Sequence, residues 1–438
     1  MTKLQSWGRY PYLPQDPHAV AWRDALHATW QSARQGHGTT LAYGNGRSYG
    51  DSCLAASGHV VHTRPLDRLI AADWQTGILR AEVGVTLGEV LELAVPHGWM
   101  LPVTPGTKYA TLGGAVANDV HGKNHHVRGT FGRCVRRFSL VRSDGSQYEC
   151  APEENPELFA ATIGGLGLTG LVTWVELQLM PVRSGLIDVT SIRFSNLDEF
   201  FSLSERFDPL HEYSVAWVDC HSKGSALGRG IFMVGDHAAE GPLVVEQRKK
   251  RTVPFTLPIP LFNRATLGIC NELYYRRQRR DELRSQVSYD TYFYPLDSLL
   301  EWNRIYGRAG FQQYQCIVPP SAARDAIRAI LDAIAKSGTG SFLSVLKRCG
   351  DLPSPGLLSF PMEGTSLALD FPQREELNKQ LFATMDSIVR EAGGRMYPAK
   401  DAHMSGSDFR AAYPRWEQVE ALRDPAILSR FWERTTRT

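Results

Sequence analysis

Leu112-Gly113-Gly114-Ala115-Val116-Ala117-Asn118-Asp119-Val120-His121-Gly122-Lys123-Asn124-His125-His126, preceded by Thr104-Pro105-Gly106-Thr107, is the stretch that decides the fold. Glycines and other small residues let peptide N–H groups converge on an anion and let the backbone approach a ligand closely. No G-x-x-x-x-G-K-[ST] occurs here, so an ATP-type loop is not indicated. His121 and His125 stand four apart, as metal ligands on a helix do. Gly122 lies between them, and no carboxylate or thiolate pattern completes a site, so no metal is expected. His121 reads instead as a polar group beside a bound ligand.

Two further glycine clusters flank this stretch. Tyr43-Gly44-Asn45-Gly46-Arg47-Ser48-Tyr49-Gly50-Asp51 follows a strand pattern at Thr39–Tyr43. Gly164-Gly165-Leu166-Gly167-Leu168-Thr169-Gly170 matches G-x-G-x-x-G once, but no βαβ pattern follows it, so by itself it reads as a tight turn. The clusters suit the phosphates of a nucleotide-type cofactor. Strands are expected at Gly58–Thr63, Ile78–Val83, Val135–Val141 and Leu171–Met180. A helix capped by Thr86 is expected over Thr86–Val95, where Leu87, Val90, Leu91 and Ala94 share a face. Pro181-Val182 marks a boundary. Beyond it, strands at Ile187–Arg193, Tyr213–Asp219, Gln313–Val318 and Leu367–Asp370 alternate with helices at Leu197–Arg206, Ser321–Ser337 and Glu375–Glu391. This pattern predicts an α+β chain whose second domain has helices on one face of an antiparallel sheet. The expected domains are 1–182, 183–400, and a C-terminal helical segment, 401–438, packing back on the first.

The 438 residues carry 48 Lys+Arg against 46 Asp+Glu, a formal net charge of +2, which argues against bulk nucleic-acid binding. Seven cysteines form no C-x-x-C pair, which favours reduced thiols. The N-terminus lacks the apolar core of a signal peptide. The uncharged stretch Leu158–Val175 holds four glycines and reads as a buried turn, not a membrane span. A cytoplasmic protein is expected, at most peripheral at a membrane. The one unusual segment, 247–263, is a basic run, Gln247-Arg248-Lys249-Lys250-Arg251, followed by an apolar run broken by Pro254, Pro258 and Pro260. It reads either as an ordinary surface loop or as a contact for an anionic membrane surface or a lipid phosphate.

Together these motifs resemble the vanillyl-alcohol oxidase, or PCMH-type, FAD-binding superfamily. Within it, Pro105-Gly106-Thr107, Gly113-Gly114-Ala115, Asp119 through His126 and Gly129-Thr130-Phe131-Gly132 are similar to the decaprenylphosphoryl-β-D-ribose oxidase family. The likeness returns at Phe293–Asp297, Phe311–Gln315, Ser341–Lys347, Asp370-Phe371-Pro372, Gly393–Asp401 and Ala412–Arg415, covering nearly the whole chain. The resemblance implies a PCMH-type domain of two α+β subdomains, non-covalent FAD, and a separate substrate domain over the flavin. No histidine stands in the first glycine loop, where related oxidases attach FAD covalently.

Carried over residue by residue, the resemblance puts FAD against Gly44, Asn45, Gly46, Arg47, Ser48, Tyr49 and Gly50. It adds Pro105, Gly106, Thr107, Thr111, Gly113, Gly114, Ala115, Asn118, Asp119, His121, Gly122 and Asn124. Gly164, Gly167, Gly170 and Val172 would lie along the adenine side, with Tyr413 also at the cofactor. Tyr49, Lys123, Tyr294, Gln313, Gln315, Lys347, Ser366 and Ala368 would line the substrate pocket. Lys400 and His121 would be catalytic, Lys400 reaching the reacting hydroxyl. A lysine desolvated beside a flavin can serve as a general base near neutral pH. Ala368 and Ser366 replace the family's cysteine and asparagine, so no thiol adduct can form there.

The reaction implied is oxidation of a secondary hydroxyl, first of all the 2′-OH of a polyprenyl-phosphate-linked ribose, with a possible NAD(P)H-dependent reductase partner completing a 2′-epimerisation. A second reading keeps the flavin and takes a soluble sugar, aldonolactone or other hydroxylated metabolite. A third is a non-catalytic binding module on a flavin scaffold.

Overall fold

The computed structural model describes residues 3–246, 248–261 and 264–437. Three short strands, β1 (Asp16–Ala19), β2 (Leu41–Tyr43) and β3 (His59–His62), form a parallel sheet in the order β1-β3-β2. Leu41 and Tyr43 are buried, and β2 ends where the first glycine cluster begins. Five strands form an antiparallel sheet in the order β4-β5-β9-β7-β8: β4 (Leu69–Asp73), β5 (Ile78–Glu82), β7 (Val135–Val141), β8 (Gln147–Cys150) and β9 (Leu171–Gln178). The helix Leu87–Ala94 starts in a reciprocal cap. The Glu89 amide donates to the Thr86 hydroxyl at 3.2 Å, and the Thr86 amide donates to the Glu89 carboxylate at 2.7 Å. Small ribbons join β6 (Trp99–Met100) to β10 (Met180–Pro181) and β14 (Arg251–Thr252) to β16 (Leu299–Leu300).

The largest sheet is antiparallel throughout, in the order β15-β11-β13-β12-β18-β19-β17-β20. Its strands are β11 (Leu186–Phe194), β12 (Tyr213–Val218), β13 (Gly230–His237), β15 (Glu282–Ser288), β17 (Phe311–Val318), β18 (Ser344–Cys349), β19 (Gly364–Pro372) and β20 (Arg395–Met396). Side chains alternate across a sheet, so register assigns each residue a face. Gln313 pairs with Asp370, Gln315 and Val345 both pair with Ala368, and Lys347 pairs with Ser366. These residues share one face. On the other, the Tyr314 hydroxyl donates to Asp386 at 3.0 Å and Phe371 meets Phe382 edge-on at 5.4 Å. Asp386 and Phe382 lie on the helix Glu375–Glu391, which packs beside the helix Pro320–Ser337. The helices thus cover one face and leave the polar face for a ligand.

Most expected elements fall within a residue or two of their predicted bounds. The stretch 158–175 divides into the end of the helix Pro156–Thr162, a turn over 163–170, and the start of β9. In the large sheet β13, β15, β18 and β20 were not anticipated, nor elsewhere were β1, β4 and the helices Leu26–Arg34, Pro156–Thr162 and Arg264–Arg277. β15 is an edge strand whose residues are mostly exposed, so it lacks the apolar alternation that marks a strand in sequence. Helices Gly406–Ala412, Trp416–Leu422 and Arg430–Thr436 end the chain. Bridges Thr40–Ile427 and Ala55–Ser429 tie that end to the first sheet. All seven cysteines are free, and no described helix is long and apolar enough to cross a membrane.

Candidate active site

The three glycine clusters meet around one short helix, Leu112–Ala117. Thr111 caps it, accepting from the Gly114 amide at 3.1 Å, and Asn118 donates to the Gly114 carbonyl at 2.8 Å. A Cβ on Gly44 would stand 2.4 Å from the Thr111 hydroxyl, so only glycine lets the first cluster touch the second. Asn45 donates to the Tyr109 carbonyl at 2.8 Å across the same junction. The third cluster docks at the far end of the helix: the Gly164 amide bonds the Val116 carbonyl at 2.9 Å and the Leu166 amide bonds Ala117 at 2.8 Å. Gly113 and Ala115 pack inward, Gly113 against Val83, and Val172 pairs with Leu140 within the five-stranded sheet.

This arrangement fits a dinucleotide. The consecutive amides of Asn45, Gly46, Arg47 and Ser48 donate to no acceptor among the described residues. Open space lies where a Cβ would stand on Gly106 and Gly167. Consecutive unpaired backbone donors can form a nest for phosphate oxygens.

Several expected cofactor contacts have their side chains engaged elsewhere. The Asp119 carboxylate accepts from the Gly132 amide at 2.6 Å and from Ser359 and Ser354, and burial raises its pKa. Asn124 donates to the Pro102 carbonyl at 2.8 Å and to Glu212 at 2.9 Å. The Tyr413 hydroxyl donates to the Met396 carbonyl at 2.6 Å. Thr107 donates to Asp297 at 3.2 Å, and Pro105 leads into that turn. These groups shape the loops through the protein's own contacts. Gly122, where a Cβ would meet the Thr104 carbonyl at 2.6 Å, keeps the His121 segment close to the second cluster, and Gly170 is pressed against Val141 and Leu140.

The polar face of the large sheet lies over this region. His121 is buried, with Lys347 Nζ 2.6 Å from its Nδ1 and Gln315 Nε2 3.3 Å from its Nε2. Lys347 also donates to the Gly122 carbonyl at 2.5 Å, and Gln315 reaches the Ser366 hydroxyl at 3.4 Å. Burial, reinforced by Lys347, His125 and Lys400, holds the His121 pKa well below its ordinary value, so the imidazole is neutral. Burial also lowers the Lys347 pKa. Lys123 donates to the Tyr292 carbonyl and sits 4.1 Å from the Tyr292 ring; burial brings its pKa down to about 7. The Tyr294 hydroxyl closes on Thr104 at 2.5 Å. His121 and His125 have ring centroids 6.4 Å apart, and no metal-binding group of three His, Cys, Asp or Glu forms among the described residues.

Lys400 lies in the turn Tyr397–Asp401, which is sewn to the first glycine cluster. The Tyr49 amide bonds the Ala399 carbonyl at 3.0 Å and the Asp51 amide bonds Asp401 at 3.3 Å. A Cβ on Gly50 would fall 1.6 Å from the Asp401 carbonyl oxygen. Arg434 clamps the joint, pairing with Asp51 at 2.9 Å and Asp401 at 2.7 Å. The Lys400 ammonium nitrogen stands 3.7 Å from the Tyr49 ring centroid. Burial lowers the Lys400 pKa to about 7, against the opposing pull of Asp370.

Asp370 was not among the anticipated site residues. It accepts from Gln313 at 2.6 Å, and its second oxygen, Oδ2, is buried with no partner. Burial raises its pKa. A carboxylate inside the apolar run Leu367-Ala368-Leu369-Asp370-Phe371 was the available signal, because buried acids are rare without a task. Val345 was also missed. It is 37% exposed on a central strand beside Ala368, because the sheet is open above it. Nothing in sequence marks such an opening.

Residues 19–151 match the family model of an FAD binding domain. The chain is 35% identical to decaprenylphosphoryl-β-D-ribose oxidase of Mycolicibacterium smegmatis, over 97% of this chain and 94% of that protein. It is 34% identical to an uncharacterized protein from the mprA 5′ region of Streptomyces coelicolor, over 78% of this chain and 97% of that one. A shorter match, 32% identity over 26% of this chain and 22% of the relative, is to human Delta(24)-sterol reductase.

Proposed function

Because this chain belongs to the decaprenylphosphoryl-β-D-ribose oxidase family and is an FAD-dependent oxidoreductase, we propose that it oxidises the 2′-hydroxyl of a polyprenyl-phosphate-linked ribose to the 2-keto sugar. The observation that carries the reading is the lysine of depressed pKa, Lys400, held beside Tyr49 and Asp370 at the joint between the glycine loops and the polar sheet face.

In this reading the amides of 45–48 and the loops at Gly106 and Gly167 hold FAD without a covalent bond. Bound FAD supplies the two-electron acceptor for the hydrogen on the carbinol carbon. Lys400, neutral above about pH 7, takes the hydroxyl proton. The ammonium it becomes is stabilised by the Asp370 carboxylate. His121, neutral and held between Lys347 and Gln315, orients the sugar without adding charge. Gln313, Ser366 and Ala368 line the floor, and Ala368 leaves room where a larger side chain would not. The keto product would pass to an NAD(P)H-dependent reductase.

The prenyl chain and an anionic membrane surface are assigned to the segment 244–273. Val244, Phe255, Ile259, Leu261, Ile269 and Leu273 are all exposed there, beside exposed Lys249, Lys250 and Arg251. Such a patch is an interaction surface more often than free surface. Gln247, Phe262 and Asn263 of the basic, proline-broken stretch lie outside the described residues.

The test is anaerobic addition of a short-chain prenylphosphoryl ribose to the purified holoenzyme. The oxidised flavin absorbance should bleach, and mass spectrometry should find the 2-keto sugar. Bleaching by lipid-free sugars at the same rate would favour the soluble-metabolite reading instead.

A further inference from the structure

Lys123 and Lys347 are the obvious cations for a substrate phosphate, yet the structure leaves neither available. Lys347 is engaged by His121 and the Gly122 carbonyl, Lys123 by the Tyr292 carbonyl, and burial lowers the pKa of both. Arg47 is different. Its guanidinium lies 4.2 Å from the Trp7 ring centroid and 5.2 Å from that of Tyr109. Its Nε is buried without a hydrogen-bond partner, and no carboxylate of the described residues pairs with it. The nearest acids are otherwise engaged: Asp297 accepts from the Lys108 amide at 2.7 Å and from Thr107, and Glu301 stands 3.7 Å from Arg304. A guanidinium stacked on aromatic faces keeps its in-plane N–H groups for a bidentate anion. Lys250, from the basic run, reaches the same Tyr109 ring at 5.8 Å and is exposed.

These residues have an order. Lys400 lies against Tyr49, Tyr49 neighbours Trp302 at 6.5 Å, and Trp302 meets Trp7 at 5.6 Å. Trp7 carries Arg47, Arg47 shares Tyr109 with Lys250, and Lys250 leads along the chain to exposed Phe255 and Ile259. A base, then unpartnered cations, then an exposed apolar segment repeats the sequence of groups in a sugar, its phosphodiester and a prenyl chain.

We propose that Arg47 and Lys250, gathered on Tyr109 at the pocket mouth, form the subsite for the phosphodiester of the prenyl-linked substrate. The subsite rests on the function proposed above, and it reassigns the Arg47 side chain from the cofactor to the substrate while its backbone amide stays in the phosphate nest.

The test is calorimetric titration of holoenzyme with farnesyl phosphate, which has no sugar to oxidise, and with farnesol as the uncharged control. Arg47→Gln should weaken farnesyl phosphate binding at least ten-fold, and Lys250→Gln by a few-fold, with farnesol binding unaltered and flavin content equal to wild type. Arg47→Lys should restore part of the loss. Binding of farnesyl phosphate by R47Q within two-fold of wild type would overturn the subsite. So would loss of flavin from R47Q, which would return the side chain to the cofactor. Loss of binding to phosphatidylglycerol vesicles with farnesyl phosphate binding intact would also overturn it, making the anion a lipid headgroup. If prenylphosphoryl ribose is not oxidised but farnesyl phosphate binding still depends on Arg47, the proposed reaction fails and the phosphate site stands.

Discussion

The proposed pocket floor and mouth are both rich in cations and partner them differently. On the floor, Lys347 is buried and Lys123 and Lys400 are half-buried, and all three have lowered pKa values; Lys347 and Lys123 are also engaged by the protein's own oxygens and nitrogens. At the mouth, half-buried Arg47, whose pKa burial also lowers, and exposed Lys250 lie on aromatic faces and pair with no carboxylate of the described residues. Burying a charge costs several kcal/mol unless it is paired or neutralised. A floor of amines with lowered pKa values therefore suits proton transfer. Cations laid on aromatic faces, with their N–H groups unspent, suit holding an anion.

The comparison can be broken most severely at Lys400. Lys400→Met removes the base while keeping the stem's apolar volume. The rate of flavin bleaching by prenylphosphoryl ribose in anaerobic stopped flow should fall by about 10²–10⁴-fold. An undiminished rate would remove Lys400 from the chemistry.

A smaller and more diagnostic effect comes from Asp370→Asn. The wild-type bleaching rate should rise with pH through about 7 as the Lys400 amine loses its proton. The Asp370 carboxylate opposes that loss by raising the amine's pKa. Its removal should therefore shift the rising limb to lower pH. A limb that stays in place would mean that the two groups do not communicate.

The smallest effect on the protein itself is expected at the mouth. The combined change F255S, I259S, I269S and L273S alters residues that are each at least 62% exposed. Surface substitutions of this kind usually change stability by about 0.5 kcal/mol or less. The thermal midpoint should hardly move, whereas co-sedimentation with phosphatidylglycerol vesicles should drop. Unchanged co-sedimentation would remove the membrane from the role assigned to 244–273.

How much of this was legible beforehand differs by element. The helix Glu375–Glu391 was read with its observed bounds because its apolar residues recur at helical spacing over many turns. The Thr86 cap was read because capping is a contact between near neighbours. β15 was not read, since an exposed edge strand carries no periodic signal. The glycine clusters are legible as a phosphate-binding region from their runs of small residues, and the structure joins them around one helix. Asp370 stood in plain view and received no role, because its partner Gln313 lies 57 residues away in sequence.

Backbone requirements were therefore settled by the amino-acid sequence itself: where glycine is needed, where helices begin, which faces are apolar. Each depends on dihedral preferences and side-chain periodicity within a few residues. Charge states and partnerships were decided only in three dimensions. Lys347 meets His121 across 226 residues, and Arg434 meets Asp51 across 383. Whether a lysine is a spent structural contact, a base or a free anion site depends on how much water its neighbours exclude and which acceptors they bring, and those neighbours arrive from distant strands.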